Sequence, residues 1–372
     1  MTYSDQHKFG STVSRCFLAV LLIPLILVYT QSISKAEPKL IKNITLEGDL
    51  IKQDKKPNIR DNISGISIKG DILVVGSDEG ADILVFKKED DLKYNEAAQA
   101  CIPLDGKSCG KERKGTEIDI EGIAWSKKYL YVIGSHSRAR KRVKADKSSA
   151  ENRKRLETVK IEPTREQLFR LKLDKEGKIV DGSKVKKISL RNLFANHKTL
   201  SLFQTIPSKE NGIDIEGLAV KKVDDKDRLY LGFRGPVLRG NHAIIMILDF
   251  KKDKFKLKKN DPKIHYVNLD GRGIRGMTET GNGGFILLAG PVGDAKMDNE
   301  KTRYQLYFWN GEEDDVAGVV RKPLCSVPVR KGAKAEGIEL LNKGKADADD
   351  YQFVVVYDGA KKGGATFFTC KP

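Results

Sequence analysis

The sequence predicts an all-β fold, a single β-propeller of five four-stranded blades closed by its N-terminal strand. Three observations predict it. One segment recurs five times, each copy is followed by further strand-like runs, and the last copy lacks a strand that the start of the chain can supply. The recurring segment is an apolar strand carrying x-G-[ILM], a short turn, a second apolar strand and a glycine-rich polar loop. Its copies begin at Ile63, Ile120, Ile215, Ile274 and Ala335. The residues after the shared glycine (Ile66, Ile123, Leu218, Met277, Ile338) are separated by 57, 95, 59 and 61 positions. Four-stranded repeats of this length are the signature of a propeller, and the long step carries insertions.

Third strands are expected at ILVF from Ile83, LFRLKL from Leu168, IIMILDF from Ile244 and YQLYFW from Tyr304, from their β-branched and aromatic content. Fourth strands are expected at QACIPL, KVKKISL, KIHYVNL and PLCSVPV. The last unit stops after ATFFTC from Ala365, and PKLIKNITLEG from Pro38 is available to complete it. Such closure removes the sheet edges on which chains aggregate. A sixth blade would need strands hidden between Arg138 and Gly212, a stretch that is mostly polar and compatible with helix.

Residues 1–36 read as a secretory signal, with Lys8 and Arg15 ahead of an apolar run from Phe17 to Tyr29 and small residues Ser34 and Ala36 before the expected cleavage. The domain then runs over 38–372 in an exported protein, periplasmic or extracellular, and is expected to be monomeric. The chain holds 68 Lys plus Arg against 51 Asp plus Glu, a net charge of +17, so its surface favours anions. Export makes nucleic acid an unsuitable partner and leaves anionic small molecules or phosphorylated glycans. Residues 138–165 form a basic insertion with 11 Lys or Arg against four acids, a solvated segment or an arm that touches a membrane surface. With Cys16 in the signal, four cysteines remain. The pairing Cys101 with Cys109 and Cys325 with Cys370 is expected in an oxidising compartment.

In a propeller the first strand of each blade lines a central channel, so the position before the shared glycine brings Ser64, Glu121, Glu216, Arg275 and Glu336 together. Asp119 and Asp214 stand two residues ahead of Glu121 and Glu216 in the matching strings EIDIEGIA and GIDIEGLA. The loops after the second strands add Asp78, Glu79, His136, Arg138, Arg234, Arg239, Asp294 and Asp358 to one rim. Channel carboxylates are most simply bonded to each other and to backbone N–H groups, because a buried carboxylate without partners is costly. Alternatively Asp119, Glu121, Asp214 and Glu216 offer oxygens to calcium, although no cofactor is required by the pattern. The guanidiniums of Arg138, Arg234, Arg239, Arg272 and Arg275, with Glu336, suit bidentate contacts to a polar anion. Adjacent strand residues face opposite ways, which separates Ser135 from His136 as a nucleophile pair. No nucleophile elbow, phosphate-binding loop or zinc-helix motif is present.

The strings DIEGIAW, YLYVIGSHSR, LFRL, IDIEGLA, LYLGFRGPVLRGN, LDGRGIRGMT, FILLAGP and AEGI resemble a bacterial family filed as a domain of unknown function, numbered thirty-six sixteen. The likeness runs from about Asn62 to Asp358 and implies a β-propeller without an established activity. More loosely the family is similar to exported propellers of the esterase-like phytase group, which implies phosphoester chemistry. The basic insertion after Arg138 departs from that pattern. Two functions are therefore expected: binding of an anionic ligand on the arginine-bearing channel face, or hydrolysis with His136, Glu121 and Glu216 as acid–base groups, assisted by calcium.

Overall fold

Each copy of the recurring segment folds as an antiparallel strand pair, and the following runs extend it outward. In the computed structural model, the residues described are 37–49, 59–109, 117–251, 254–258, 262–293, 303–312, 321–344, 350–360 and 364–371. The signal-like segment 1–36, with Cys16, and the rim residue Asp294 lie outside them.

The first strand among the described residues is β1 (Lys39–Glu47). The first unit is β2 (Ile63–Lys69), β3 (Ile72–Ser77), β4 (Asp82–Asp90) and β5 (Lys93–Pro103). The second has β6 (Ile120–Trp125) and β7 (Leu130–Gly134), then an excursion through β8 (Ala139–Arg140), α1 (Ser149–Glu157) and β9 (Val159–Lys160), before β10 (Leu168–Leu171) and β11 (Lys186–Ile188). After α2 (Arg191–Asn196), the third is β12 (Asp214–Val223), β13 (Lys226–Gly235), β14 (His242–Asp249) and β15 (Lys263–Asn268). The fourth is β16 (Gly273–Glu279), β17 (Phe285–Gly290), β18 (Gln305–Trp309) and β19 (Pro323–Ser326). The fifth holds β20 (Lys334–Leu340), β21 (Tyr351–Asp358) and β22 (Ala365–Cys370).

The fold is all-β and propeller-like. β1 pairs antiparallel with β22, Lys42 opposite Phe367, and parallel with β5, Thr45 opposite Lys93. It thereby supplies the strand the fifth unit lacks and fuses that unit to the first in one eight-stranded sheet. The first strands touch in cyclic order, β2 to β6, β12, β16, β20 and back to β2.

Strands that read as continuous apolar runs do so because both their faces are covered. In β3, Ile72 and Val74 pack toward the second unit while Leu73 and Val75 pack toward the fifth, and all four are buried. The shared glycines permit the close approach of neighbouring first strands. A Cβ added at Gly122 would lie 2.7 Å from Leu218 Cβ, and one at Gly337 would lie 2.8 Å from the Ser64 carbonyl oxygen.

The basic insertion is anchored at its base. β8 and β9 form a two-stranded ladder, α1 carries a Ser148–Glu151 capping box, and Arg140 Nη2 donates to Glu210 Oε2 at 2.8 Å. α1 itself buries no residue. Both expected disulfides form, Cys101–Cys109 at the edge of the first unit and Cys325–Cys370 between β19 and β22. They fit an oxidising environment.

Candidate functional site

A β-bulge recurs at one register position in all five first strands. Ile63 faces Ser77 while Gly65 faces Gly76, which leaves Ser64 as the extra residue, and the same shift isolates Glu121, Glu216, Arg275 and Glu336. An extra residue bends its strand and re-aims its side chain. The bulge therefore belongs to the same positions that the repeat register assigns to the central axis. All five are buried: Ser64 donates to the Ile120 carbonyl of the next unit, and the other four are ionisable.

Those four, with two neighbours, form one electrostatic cluster. Arg234, the extra residue on β13, pairs with Asp214 through Nη2 and with Glu216 Oε1 through Nη1 at 2.7 Å. Arg275 lies 3.3 Å from Glu216 Oε2 through Nε and pairs with Glu336 through Nη2, and it donates to the carbonyls of Ala335 at 3.2 Å and Pro291 at 3.3 Å. It thus ties the third, fourth and fifth units together. Burial pushes the carboxyls of Asp214, Glu216 and Glu336 above the ordinary range, and the guanidiniums of Arg234 and Arg275 oppose that push. Glu121 differs: burial comes first, Glu216, Asp119, Glu336 and Asp214 add to it, and no cation ranks among its main influences. Its Oε2 is buried without a hydrogen-bond partner. Glu121 is therefore the member of the cluster whose charge is least compensated, although burial pushes Glu216 up as well, to about 8.

Above this layer Asp119 accepts from Ser135 and, at 3.1 Å, from Ser137, and pairs with Arg165 Nη1 at 2.8 Å. The two serines face Asp119 and His136 faces the other way, its ring edge-on to Phe194 of α2 at 5.4 Å. His136 sits at φ 56, and its Nδ1 donates to the Gly134 carbonyl at 2.8 Å, which leaves Nε2 as a bare acceptor, buried and without a partner. Burial lowers its pKa to about 4, so it is neutral near pH 7. It faces a small recess shared with Arg138, Glu166 and Arg191, away from the carboxylate cluster.

The five arginines of the sequence reading occupy separate places. Arg234 and Arg275 are in the cluster. Arg272 is buried and turned to Asp270, 3.1 Å away, beside Tyr307. Arg239 is exposed on the loop before β14, and Arg138 lines the recess beside His136.

Two contributors were not singled out from the sequence in these roles. Arg165, at the end of the basic insertion, pairs with Glu117, Asp119 and Glu162. Nothing in its string, EPTRE, marks it as part of the site, because Glu117 and Asp119 come from the start of the second unit. Asp78 was placed only on the rim, yet burial and the charges of Glu336, Asp358 and Asp119 push its carboxyl up to about 9. For a hard cation, oxygens of Glu121, Asp214 and Glu216 lie within 4.8 Å of one another. Three carboxylates are fewer than calcium needs, Asp119 is not in that group, and Arg234 and Arg275 compete for the same oxygens.

The family model described as "Protein of unknown function (DUF3616)" matches residues 62–366. No curated protein matches the chain. Among solved structures, GH43B of the Bacteroides ovatus xyloglucan locus aligns at TM-score 0.37 and 8% identity over 87% of this chain and 53% of its own, so this chain spans about half its length. The mannose phosphorylase MPT-4 from Leishmania mexicana, in complex with phosphate ion, aligns at 0.42 and 11% over 88% and 87%. A GH43 endo-arabinanase from Bacillus licheniformis aligns at 0.39 and 13% over 83% and 93%. None of these likenesses is close enough to transfer an activity or a residue.

Proposed function

Since the chain belongs to the DUF3616 family, whose description assigns no activity, we propose from the site itself that it is an exported five-bladed propeller with a hydrolytic acid–base centre in its channel. The cyclic contact of five first strands, and the use of β1 as the outer strand of the last unit, support the blade count and the closure. The signal-like segment 1–36 and the two disulfides support export.

One observation carries the functional reading: Glu121 meets Asp214 and Glu216 within 4.8 Å, and it alone of the three lacks a guanidinium. A carboxylic acid that burial keeps protonated, beside a carboxylate that a guanidinium holds toward its ionised form as Arg234 holds Asp214, is the arrangement that donates a proton to a leaving oxygen while a neighbour activates water. Arg165, Arg234 and Arg275 each already hold a carboxylate, and Lys334, whose charge acts on Glu336, holds Asp358. That pairing favours an uncharged ester or glycoside over a phosphoester. It also weighs against anion binding in the channel, since the guanidiniums there already hold carboxylates. His136 is a positioning group for the loop in this reading, because its ring faces Phe194.

Uncharged nitrophenyl esters and glycosides are the first probes. Turnover of either that falls a hundredfold or more in Glu121→Gln, with unchanged folding, supports the reading. Turnover that persists in Glu121→Gln, or that appears only on nitrophenyl phosphate with calcium, replaces it with the phosphoesterase alternative.

A further inference from the structure

At the opposite ends of the strands that carry Glu121 and Glu216, a cleft opens between the second and third units and continues along the second. It has two adjoining hollows of about 500 and 440 Å³ that share Tyr129 and Arg170 as their common wall. The turn before β7 supplies Tyr129, β10 supplies Arg170, and the segment after β14 supplies Phe250, with Phe255 against the Arg170 guanidinium, so the cleft exists only once these distant segments pack.

Arg170 is the central group. It is 8% exposed, with its guanidinium 4.3 Å from the Tyr129 ring centroid and 4.7 Å from that of Phe255. Cation–π contacts of this kind hold a guanidinium in place without neutralising it. No carboxylate pairs with Arg170 among the described residues, whereas the buried guanidiniums of the channel all have one. Arg170 hydrogen-bonds the Tyr131 hydroxyl, which in turn donates to Asp227 at 2.9 Å, so Asp227 is linked to the guanidinium through that tyrosine. Lys128 and Lys172 also stand over Tyr129, at 5.4 and 5.5 Å.

The rim repeats the sign. Lys127, Lys128, Lys222, Lys226, Lys251 and Lys254 line the first hollow with Arg170, against Asp224, Asp225 and Asp227. The second adds Lys172, Lys184 and Lys186 against Asp181. Ten cations therefore face four acids along the two hollows, and one of those acids, Asp225, is held by Lys222 at 2.6 Å.

We propose that this cleft binds an acidic polysaccharide, with Arg170 receiving a carboxylate, sulfate or phosphate group of the chain and the rim lysines receiving its neighbours. The two-lobed, elongated shape suits a polymer better than a single small anion, which would engage Arg170 and leave most of the rim unused. Arg170 is 8% exposed and flanked by two aromatic rings, out of reach of a flat bilayer, whereas a flexible glycan chain enters. The assignment is independent of the channel: it stands or falls without reference to Glu121.

Calorimetric titration of the folded protein with polygalacturonate oligomers tests it, with neutral galactan as the control. The expected result is binding of the acidic polymer only, weakened tenfold or more both in Arg170→Gln and in the double variant Lys128→Glu, Lys226→Glu. The double variant changes exposed residues alone, so it remains informative if Arg170→Gln misfolds. Reversal of Lys322 and Lys331, which line neither hollow, should leave the affinity at the parent's value. The proposal is overturned if polygalacturonate does not bind or if the cleft reversals keep parental affinity. It is also overturned if single-stranded oligonucleotides or phosphatidylglycerol vesicles bind more tightly through the same residues.

Discussion

Arg275 and Glu336 occupy the same bulged position in consecutive units, and their side chains meet as a buried ion pair across the boundary between them. Arg275 also reaches Glu216 on the preceding unit, so one guanidinium compensates carboxylates from both of its neighbours. A repeat that places ionisable groups on a common axis can avoid mutual repulsion by changing the sign at one copy, and the fourth copy does so.

Replacing Arg275 by Met should destabilise the fold by roughly 3 to 5 kcal/mol, because Glu336 loses its guanidinium partner and Glu216 one of its two. Arg239→Ala, on an exposed loop, should stay within about 0.5 kcal/mol. Denaturant unfolding of both variants checks the contrast, and equal midpoints would show that the channel pair contributes nothing to closure.

The pH dependence of stability follows from Glu121. Its folded carboxyl keeps a proton that the unfolded chain loses near about pH 4.3. Above that pH the folded state binds the extra proton, so the group makes stability fall as pH rises, by about 1.4 kcal/mol per unit while the difference lasts. Asp78, raised to about 9, acts in the same direction. Glu121→Gln mimics the neutral acid. It should match the parent below about pH 4 and exceed it increasingly up to about pH 8, as read from unfolding midpoints across that range.

His136 acts in the opposite sense. Its pKa falls from 6.5 to about 4 on folding, so its contribution is complete above 6.5 and is lost as pH falls toward 4. The whole effect is on the order of 3 kcal/mol. His136→Leu should therefore flatten the acid limb of the stability curve by about one proton between those values. An unchanged slope would place a charged imidazole in the folded protein.

β1 pairs on both sides, with β22 and with β5. Deletion of 38–48 should open two sheet edges at once and abolish cooperative unfolding, monitored by circular dichroism against temperature. A truncated chain that melts as sharply as the parent would mean that the ring closes without this strand.

Much of the architecture was legible because the repeat is written in residues that serve packing. Gly65, Gly122, Gly217, Gly276 and Gly337 mark the approach of neighbouring first strands, and runs such as Ile72–Val75 are apolar throughout because both faces are covered. The central positions followed from register alone. The arginines assigned to loops did not, because a loop position fixes where a backbone leaves a strand and not where a long side chain turns. Arg272 bends to Asp270, and Arg234 folds inward to Asp214 and Glu216. Arg165 and the cleft around Arg170 were invisible for a different reason: Asp119 lies 46 residues before Arg165, and Tyr129 and Phe255 are likewise far from Arg170 in the chain, so no local spacing links them.

The most direct test of the central claim is the protonation state of Glu121, read as the carboxylic-acid carbonyl band in infrared difference spectra between the parent and Glu121→Gln. The account predicts a protonated carboxyl band at pH 7 that is missing from the variant. A Glu121 carboxyl that titrates in the ordinary glutamate range, near about pH 4, would contradict it.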